Sequence, residues 1–264
     1  MKAPKIKTRL ASSHNYGGWR DTKQIRYIVI HYTANDGDSD EGNANYFASP
    51  HDPKTSAHYF VDDDSITRSV PDDRIAYAVG GKLLADHART GGGKLYGKAT
   101  NVNTLNIEMC DSKKDGVIKA QEATIARTIE LVRWLMDKYH TDINHVIRHF
   151  DVNGKHCPAY LMDAGDWAAF KARILGYKIG GKYRTTKPCY LRLSPAGKKL
   201  AYKDAPDHIK AKSTQKGGKA SFKKGATFTL AEIAQKNGDI WGRMKTGYWV
   251  PLRYKSAVRA LLTK

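Results

Sequence analysis

The sequence has few cysteines, no long apolar run and few acidic residues in its last third. Its three cysteines, Cys110, Cys157 and Cys189, form an odd and widely spaced set, which argues against a disulfide framework. No segment approaches the roughly 20 apolar residues of a membrane span, so membrane insertion is not expected. The basic start of the chain is followed by no apolar stretch of about 7 to 15 residues, so no signal peptide is predicted and synthesis in the cytoplasm is expected.

The positive charge of the chain is concentrated in its last third. The 264 residues include 45 Lys+Arg and 26 Asp+Glu, a net charge of +19. Residues 181–264 contribute +16 of this and residues 1–180 only +3, whereas nine of the ten histidines precede residue 180. Two glycines in the stretch GYKIGGKYR predict a linker near Gly180. The expected domains are therefore residues 1–178 and 182–264.

The first domain shows the alternating strand and helix signals of an α/β fold. Residues 26–31 (RYIVIH) form a β-branched apolar run typical of a strand buried on both faces. Residues 58–61, followed by a turn and a second apolar run, predict a hairpin, and residues 102–109 predict another strand. A helix is predicted over residues 120–139, with a core face of Ile125, Ile129, Val132, Met136 and Tyr139. A second helix is predicted from Asp163 to Leu175.

Two of the predicted strands end in a histidine, and a cysteine follows the second one closely. These residues are His31, His149 and Cys157. Two imidazoles, one thiolate and a water molecule form the open tetrahedral site typical of catalytic zinc. The residues alone leave other interpretations open, since most histidines are surface or core residues and a lone cysteine is usually a small buried side chain. A thiol hydrolase that uses Cys157 with His149 is a further alternative.

Four segments of the chain together resemble the zinc-dependent N-acetylmuramoyl-L-alanine amidases of type 2. They are RYIVIHYTAN, SAHYFVDDDSITRSVP, NTLNIEMC and VIRHFDVNGKHCPAY, in the family's order and approximate spacing. Such domains occur in phage endolysins and are related to peptidoglycan-recognition proteins. The resemblance covers about residues 10–177 and implies a mixed central sheet flanked by helices, with a zinc cleft on one face. His31, His149 and Cys157 match the family's three Zn²⁺ ligands.

The resemblance also implies hydrolysis of the amide bond between N-acetylmuramic acid and L-alanine in peptidoglycan. Glu108 matches the catalytic glutamate, a general base and then acid, and Lys155 matches the lysine that stabilises the oxyanion. Some relatives place a tyrosine where this chain has Ala57 and His58, which leaves His58 only a candidate cleft residue. The alternative is a non-catalytic peptidoglycan-recognition protein. Relatives of that kind lose the cysteine ligand, which this chain keeps as Cys157.

The second domain has the short, aromatic-rich and glycine-punctuated segments of a small all-β barrel. Its run DIWGRMKTGYWVPLRY resembles the end of bacterial SH3-like (SH3b) cell-wall-binding domains. Trp241, Tyr248 and Trp249 fit either a core or a ligand-contacting role.

A domain with a net charge of +16 is also typical of nucleic-acid binding. The bacterial wall is polyanionic as well, and attachment to an amidase favours the wall as partner, so no nucleic-acid partner is expected. The sequence thus predicts a phage or prophage endolysin that acts at the wall after release. Nothing in the sequence indicates an oligomeric state.

Overall fold

A computed structural model describes residues 1–114 and 116–263 of the chain. The chain forms two compact units, Met1–Trp167 and Ala168–Lys264. The first unit combines strands and helices, whereas the second is built mainly from strands. The domain boundaries expected from composition, 1–178 and 182–264, stay a prediction.

The elements of the first unit are short strands interleaved with helices. The strands are β1 (Lys7–Thr8), β2 (Tyr16–Trp19), β3 (Tyr27–Tyr32), β4 (Tyr59–Val61), β5 (Ile66–Arg68), β6 (Arg74–Ala76), β7 (Thr104–Met109), β8 (Ser112–Lys114), β9 (Val117–Lys119) and β10 (Val146–Arg148). The helices are α1 (Asp40–Phe47), α2 (His87–Thr90), α3 (Glu122–Lys138), α4 (His149–Asn153) and α5 (Ala164–Ile174), the last of which begins in the first unit and ends in the second.

A six-stranded sheet in the order β1-β5-β4-β7-β3-β10 forms the centre of the first unit. Strands β4, β7, β3 and β10 run parallel to one another. Strand β5 returns antiparallel to β4, which confirms the predicted hairpin. The α/β class and the central sheet are confirmed. In sheets of this kind, ligands bind at the carboxyl ends of the parallel strands.

Helix α3 confirms the predicted helix but buries a different face. Ile129 and Val132 are buried as predicted, whereas Ile125, Met136 and Tyr139 are only partly buried. Threonines and leucines complete the buried face, which consists of Thr124, Thr128, Ile129, Leu131, Val132 and Leu135. Thr124, Thr128, Leu131 and Leu135 each directly precede a predicted core position, so the core face is rotated about the helix axis from the predicted one. No helix in the described ranges is both long and apolar enough to cross a membrane.

The predicted strand ending at His149 stops one residue earlier. Strand β10 ends at Arg148, and His149 is the first residue of α4. The Asp151 carboxylate accepts a hydrogen bond from the Arg148 backbone N–H at 2.8 Å and so caps this short helix. His149 therefore sits at a strand-to-helix junction and not at a strand end.

The second unit contains two sheets. Its strands are β11 (Lys182–Thr185), β12 (Cys189–Tyr190), β13 (Ser213–Lys216), β14 (Lys219–Phe222), β15 (Thr227–Lys236), β16 (Asp239–Met244), β17 (Trp249–Tyr254), β18 (Ala257–Val258) and β19 (Ala260–Leu262), with one short helix, α6 (Asp207–Lys210). The larger sheet has the order β18-β17-β16-β15-β11-β19 and the smaller one β12-β14-β13. Ala172 of α5 and Tyr177 belong to the apolar core of this unit.

The central position of β7 leads to a prediction about stability. Ile107 is fully buried in this strand, so Ile107→Ala is expected to destabilise the first unit by about 2–5 kcal/mol, because the cavity it leaves can only partly close. Val117→Ala, at an exposed position of β9, is the control and is expected to change stability by less than about 0.5 kcal/mol. Denaturant unfolding measures both, and equal stability of the two variants would contradict the central placement of β7.

Candidate metal centre and cleft

Two neighbouring parallel strands bring a histidine and a glutamate together. His31 lies in β3 and Glu108 in β7, and the two residues are paired in the register of the sheet. The Nδ1 atom of His31 is 3.9 Å from Oε1 of Glu108. Both side chains line one cleft. The pairing of β3 with β7 thus brings together two residues that lie far apart in the sequence.

The segment after β10 supplies the other candidate ligands. His149 begins α4, and Cys157 lies in the loop after this helix. The loop turns back on the helix, since the Phe150 backbone N–H donates to the Cys157 carbonyl at 3.1 Å. Arg148 Nη1 donates to the Leu161 carbonyl at 2.7 Å, which ties the chain beyond Cys157 to the end of β10. These contacts hold the cysteine beside the sheet.

The three candidate ligands converge on one point. One donor atom from each of His31, His149 and Cys157 lies within 4.8 Å of the other two. The Cys157 Sγ atom is 3.9 Å from His31 Nδ1, and the two imidazole rings meet edge to face with their centroids 4.8 Å apart. Tetrahedral coordination at about 2.1 Å to nitrogen and 2.3 Å to sulfur requires a nitrogen–sulfur distance of roughly 3.6 Å. The three side chains therefore form a group able to hold a metal ion.

A chain of hydrogen bonds determines which nitrogen of His31 faces this group. The Thr104 hydroxyl donates to the Thr100 carbonyl at 2.9 Å, so its oxygen is free to accept from the Asn106 side-chain amide at 3.1 Å. The Oδ1 atom of Asn106 then accepts from Nε2 of His31 at 3.0 Å. The ring proton accordingly resides on Nε2, and the unprotonated Nδ1 faces Cys157. Contacts of this kind orient metal-binding histidines in proteins.

Burial keeps both imidazoles in the neutral form that binds metals. His31 and His149 are 2% and 5% exposed. Burial lowers the pKa of His31 to about 4 and the pKa of His149 to about 2, and the charge of Lys155 acts in the same direction. Neither ring nitrogen of His149 has a hydrogen-bond partner among the described residues. A buried polar atom without a partner is unfavourable, and coordination to a metal ion would supply the missing interaction.

The cysteine of the group is protected from solvent. Cys157 is 1% exposed, and burial, together with the nearby Glu108, raises the pKa of its thiol to about 12. The thiol therefore keeps its proton at neutral pH unless a cation is bound. Coordination stabilises the thiolate, so binding of a metal ion is coupled to release of a proton.

Glu108 and Lys155 complete the group at the cleft. The Glu108 side chain is 21% exposed, and its Oε2 atom has no hydrogen-bond partner among the described residues. Burial raises the pKa of this carboxyl to about 8, while the positive charge of Lys155 opposes the shift. A carboxyl group that titrates near neutrality can both accept and donate a proton. Lys155 is exposed in the loop before Cys157 and lines the same cleft.

The cleft is large enough for part of a polymer. Its volume is about 760 Å³, within the range of small-molecule binding sites. Aromatic and polar side chains form much of its wall, among them Tyr32, Thr33, Asn35, Asp38, Asn43, Tyr46, Phe47 and Tyr77. Such a wall can contact both the apolar and the hydrogen-bonding parts of a ligand.

Another histidine and another cysteine, His58 and Cys110, lie outside this group. His58 is fully buried, accepts the Asn106 backbone N–H on Nδ1 at 3.1 Å and has Nε2 3.2 Å from the Arg74 carbonyl, so it supports the sheet and does not line the cleft. Cys110 is buried in an apolar cluster with Ala44, Ala57 and Phe60. Asn106 was missed by the sequence analysis, although its position two residues before Glu108 places both on one face of a strand.

A mixed α/β domain with a His/His/Cys group beside a cleft that a glutamate and a lysine line has the architecture of a metal-dependent hydrolase. Residues 21–160 match the Amidase_2 family, whose description is N-acetylmuramoyl-L-alanine amidase. The match covers more than half of the chain and includes the residues of the site. The chain belongs to this family.

Individual relatives agree with the family assignment. The chain is 36% identical over 154 residues to a probable N-acetylmuramoyl-L-alanine amidase of Bacillus licheniformis, a match that covers 57% of this chain and 41% of that protein. It is 29% identical over 223 residues to the N-acetylmuramoyl-L-alanine amidase CwlA of Bacillus subtilis (strain 168), with 82% and 75% covered. The chain thus spans less than half of the first relative and three quarters of the second.

Solved structures show the same fold. A mutant endolysin from Bacillus subtilis is 25% identical with a TM-score of 0.50, and the match covers 64% of this chain and 98% of that one. The solution structure of the PlyG catalytic domain is 27% identical with a TM-score of 0.51, with 66% and 94% covered. Both are matched over nearly their whole length.

The hydrogen bond from His31 to Asn106 gives a prediction that is independent of activity. Asn106→Ala is expected to weaken Zn²⁺ binding by about 10-fold to 100-fold, because the imidazole loses the contact that fixes its proton and orientation. Asn35→Ala, at an exposed position of the cleft, serves as the control and should bind Zn²⁺ normally. Competition with a chromophoric chelator measures the affinities. A folded Asn106→Ala protein with unchanged affinity would show that His31 needs no support from Asn106.

Proposed function

We propose that the chain is a peptidoglycan hydrolase that cleaves the amide bond between N-acetylmuramic acid and the L-alanine of the stem peptide. The observation that carries the proposal is the convergence of His31, His149 and Cys157 next to Glu108, at a cleft that His31, His149 and Glu108 line. Relatives named N-acetylmuramoyl-L-alanine amidase support this choice of bond. The site residues assigned below rest on this geometry and on the family membership.

The donor set favours Zn²⁺ as the resident metal. Two imidazole nitrogens and one thiolate suit zinc, whereas magnesium and calcium prefer oxygen ligands. Zinc bound by three protein ligands lowers the pKa of a coordinated water toward about 7 and polarises a carbonyl oxygen. His31 and His149 are already neutral before a metal ion binds, and Cys157 releases its proton when the ion binds.

Glu108 is assigned the proton transfers. Its carboxylate takes a proton from the attacking water and returns it to the leaving nitrogen, so that L-alanine departs with a free amino group. Burial favours the neutral form of this carboxyl and so stabilises the protonated glutamic acid that exists between the two transfers. Lys155 lines the same cleft. Its assigned role is to stabilise, with its ammonium group, the negative charge that develops on the carbonyl oxygen.

The second unit is assigned to wall attachment as an SH3b-like domain. Its strand-rich fold suits an SH3b-like domain. The net charge of +16 for residues 181–264 suits a polyanionic wall, which carries phosphates and peptide carboxylates. Together the two units would form an endolysin of phage or prophage origin that acts on the wall after release from the cytoplasm.

Analysis of the products tests the proposed reaction directly. Digestion of defined muropeptides is expected to release peptides with a free N-terminal L-alanine and no new reducing sugar ends. A strong chelator should abolish the release, and added Zn²⁺ should restore it. New reducing ends would identify a glycosidase instead. Binding of muropeptides without any product would favour the alternative, a non-catalytic recognition protein.

Two variants separate proton transfer from metal binding. Glu108→Gln is expected to keep about one zinc per chain and to lose at least about 100-fold in the rate of alanine release, because the amide cannot accept the proton. Cys157→Ser is expected to lose both metal and activity, since a ligand is weakened. Glu130→Gln, an exposed glutamate on α3, is the control. Full activity of Glu108→Gln would remove Glu108 from the proposed mechanism.

A further inference from the structure

Two strands of the second unit divide their side chains between two faces. Ile240 of β16 and Val250 and Leu252 of β17 belong to the apolar core of this unit. Trp241 and Pro251, which lie opposite each other in the register, are not part of that core, although Trp241 is only 1% exposed. Trp241 is therefore buried on the outer face of the sheet, under side chains from elsewhere in the unit.

A pocket rich in basic side chains lies on this outer face. Its volume is about 270 Å³, and its lining includes Trp241 and three cationic side chains, Arg192, Lys199 and Arg259, but no acidic residue. None of these cations takes part in an ion pair among the described residues. Three cations around one small cavity repel each other, so the pocket favours an anion.

Each of the three cations lies over an aromatic ring and not beside a carboxylate. The separations from ring centroids are 5.0 Å for Arg192 and Trp241, 3.8 Å for Lys199 and Tyr190, and 5.9 Å for Arg259 and Tyr254. Arg192 also donates from Nη1 to the Gly197 carbonyl at 2.6 Å, which holds its guanidinium group at the pocket.

We propose that this pocket binds the phosphodiester group of an anionic polyol-phosphate polymer of the bacterial wall. The guanidinium groups of Arg192 and Arg259 and the ammonium of Lys199 supply charge-assisted hydrogen bonds to the phosphate oxygens. Polyol hydroxyls can accept from any donor left over. That the polymer comes from the wall rests on the proposed function. That the pocket binds an oxyanion rests on the pocket alone.

The pocket does not suit the two other obvious anions. Single-stranded nucleic acid binds through bases stacked on free aromatic faces, but Arg192 covers Trp241 and Lys199 covers Tyr190. A peptide ending in a carboxylate brings amide N–H groups that need acceptors, and the lining has no carboxylate or amide side chain. A polyol phosphate needs no free ring and brings no amide N–H groups.

Binding of the full chain to purified walls tests the proposal. Walls with their polyol phosphates and walls stripped of them by hydrofluoric acid are compared, with poly(glycerol phosphate) as a soluble probe. The Arg192→Gln/Arg259→Gln variant is expected to bind the phosphate-bearing walls and the soluble probe about 100-fold more weakly, or about tenfold per arginine. Arg184→Gln, at an exposed position of β11 outside the pocket, removes one charge and should change binding by less than about threefold.

Release of L-alanine from a soluble muropeptide is measured on the same proteins. Unchanged release by the double variant shows that its first unit is folded. A near-ultraviolet circular dichroism spectrum equal to that of the wild type shows that its second unit is folded too, so that its weaker binding is assigned to the pocket. Equal binding to stripped and unstripped walls, or by wild type and double variant, overturns the proposal. Tighter binding of DNA or of a phosphate-free stem peptide than of poly(glycerol phosphate) overturns it as well. Retained phosphate binding without alanine release would instead refute the proposed hydrolase and leave the pocket intact.

Discussion

The parallel pairing of β3 with β7 is the constraint on which the rest of the site depends. In this register His31 stands opposite Glu108, and a slip of one residue would turn one of the two side chains to the other face of the sheet. Alternate positions of the same strands, such as Ile30 and Ile107, are fully buried, so a slip would also expose core side chains to the cleft. Core packing therefore determines the spacing between a candidate metal ligand and the candidate proton carrier.

The polar residues of the site are arranged at the expense of stability. The buried ring nitrogens of His149 and the Oε2 atom of Glu108 have no partner among the described residues, and each such atom favours the unfolded, hydrated chain. The contrast with Asn106 is informative, because that side chain is hydrogen-bonded at both ends. The supporting residue is satisfied, whereas His149 and one oxygen of Glu108 are not. Unsatisfied groups concentrated in a cleft are typical of sites completed by a ligand.

Much of the site was predictable because its residues lie in strong local patterns. The apolar run before His31 and the alternating segment before Glu108 predicted their strands, and the family resemblance connected both with Cys157. The distances between these residues were not predictable, since register and loop closure depend on packing that no short segment encodes. Asn106 was missed because a buried asparagine in a strand has no distinctive spacing. The core face of α3 was misjudged because Leu131 and Leu135 offer a second apolar face beside the predicted one, and packing on the sheet decides which face is buried. In the second unit, burial of Trp241 on the outer face depends on residues some 50 positions away, such as Arg192.

The separation of the candidate ligands along the chain has a consequence for biosynthesis. His31 and Cys157 are 126 positions apart, with four strands of the central sheet, β4, β5, β7 and β10, between them in sequence. A ribosome-bound nascent chain would therefore carry no complete site until almost all of the first unit has emerged. If the proposed metal ion binds this group, its capture would report that β10 and the loop that follows it have joined the sheet.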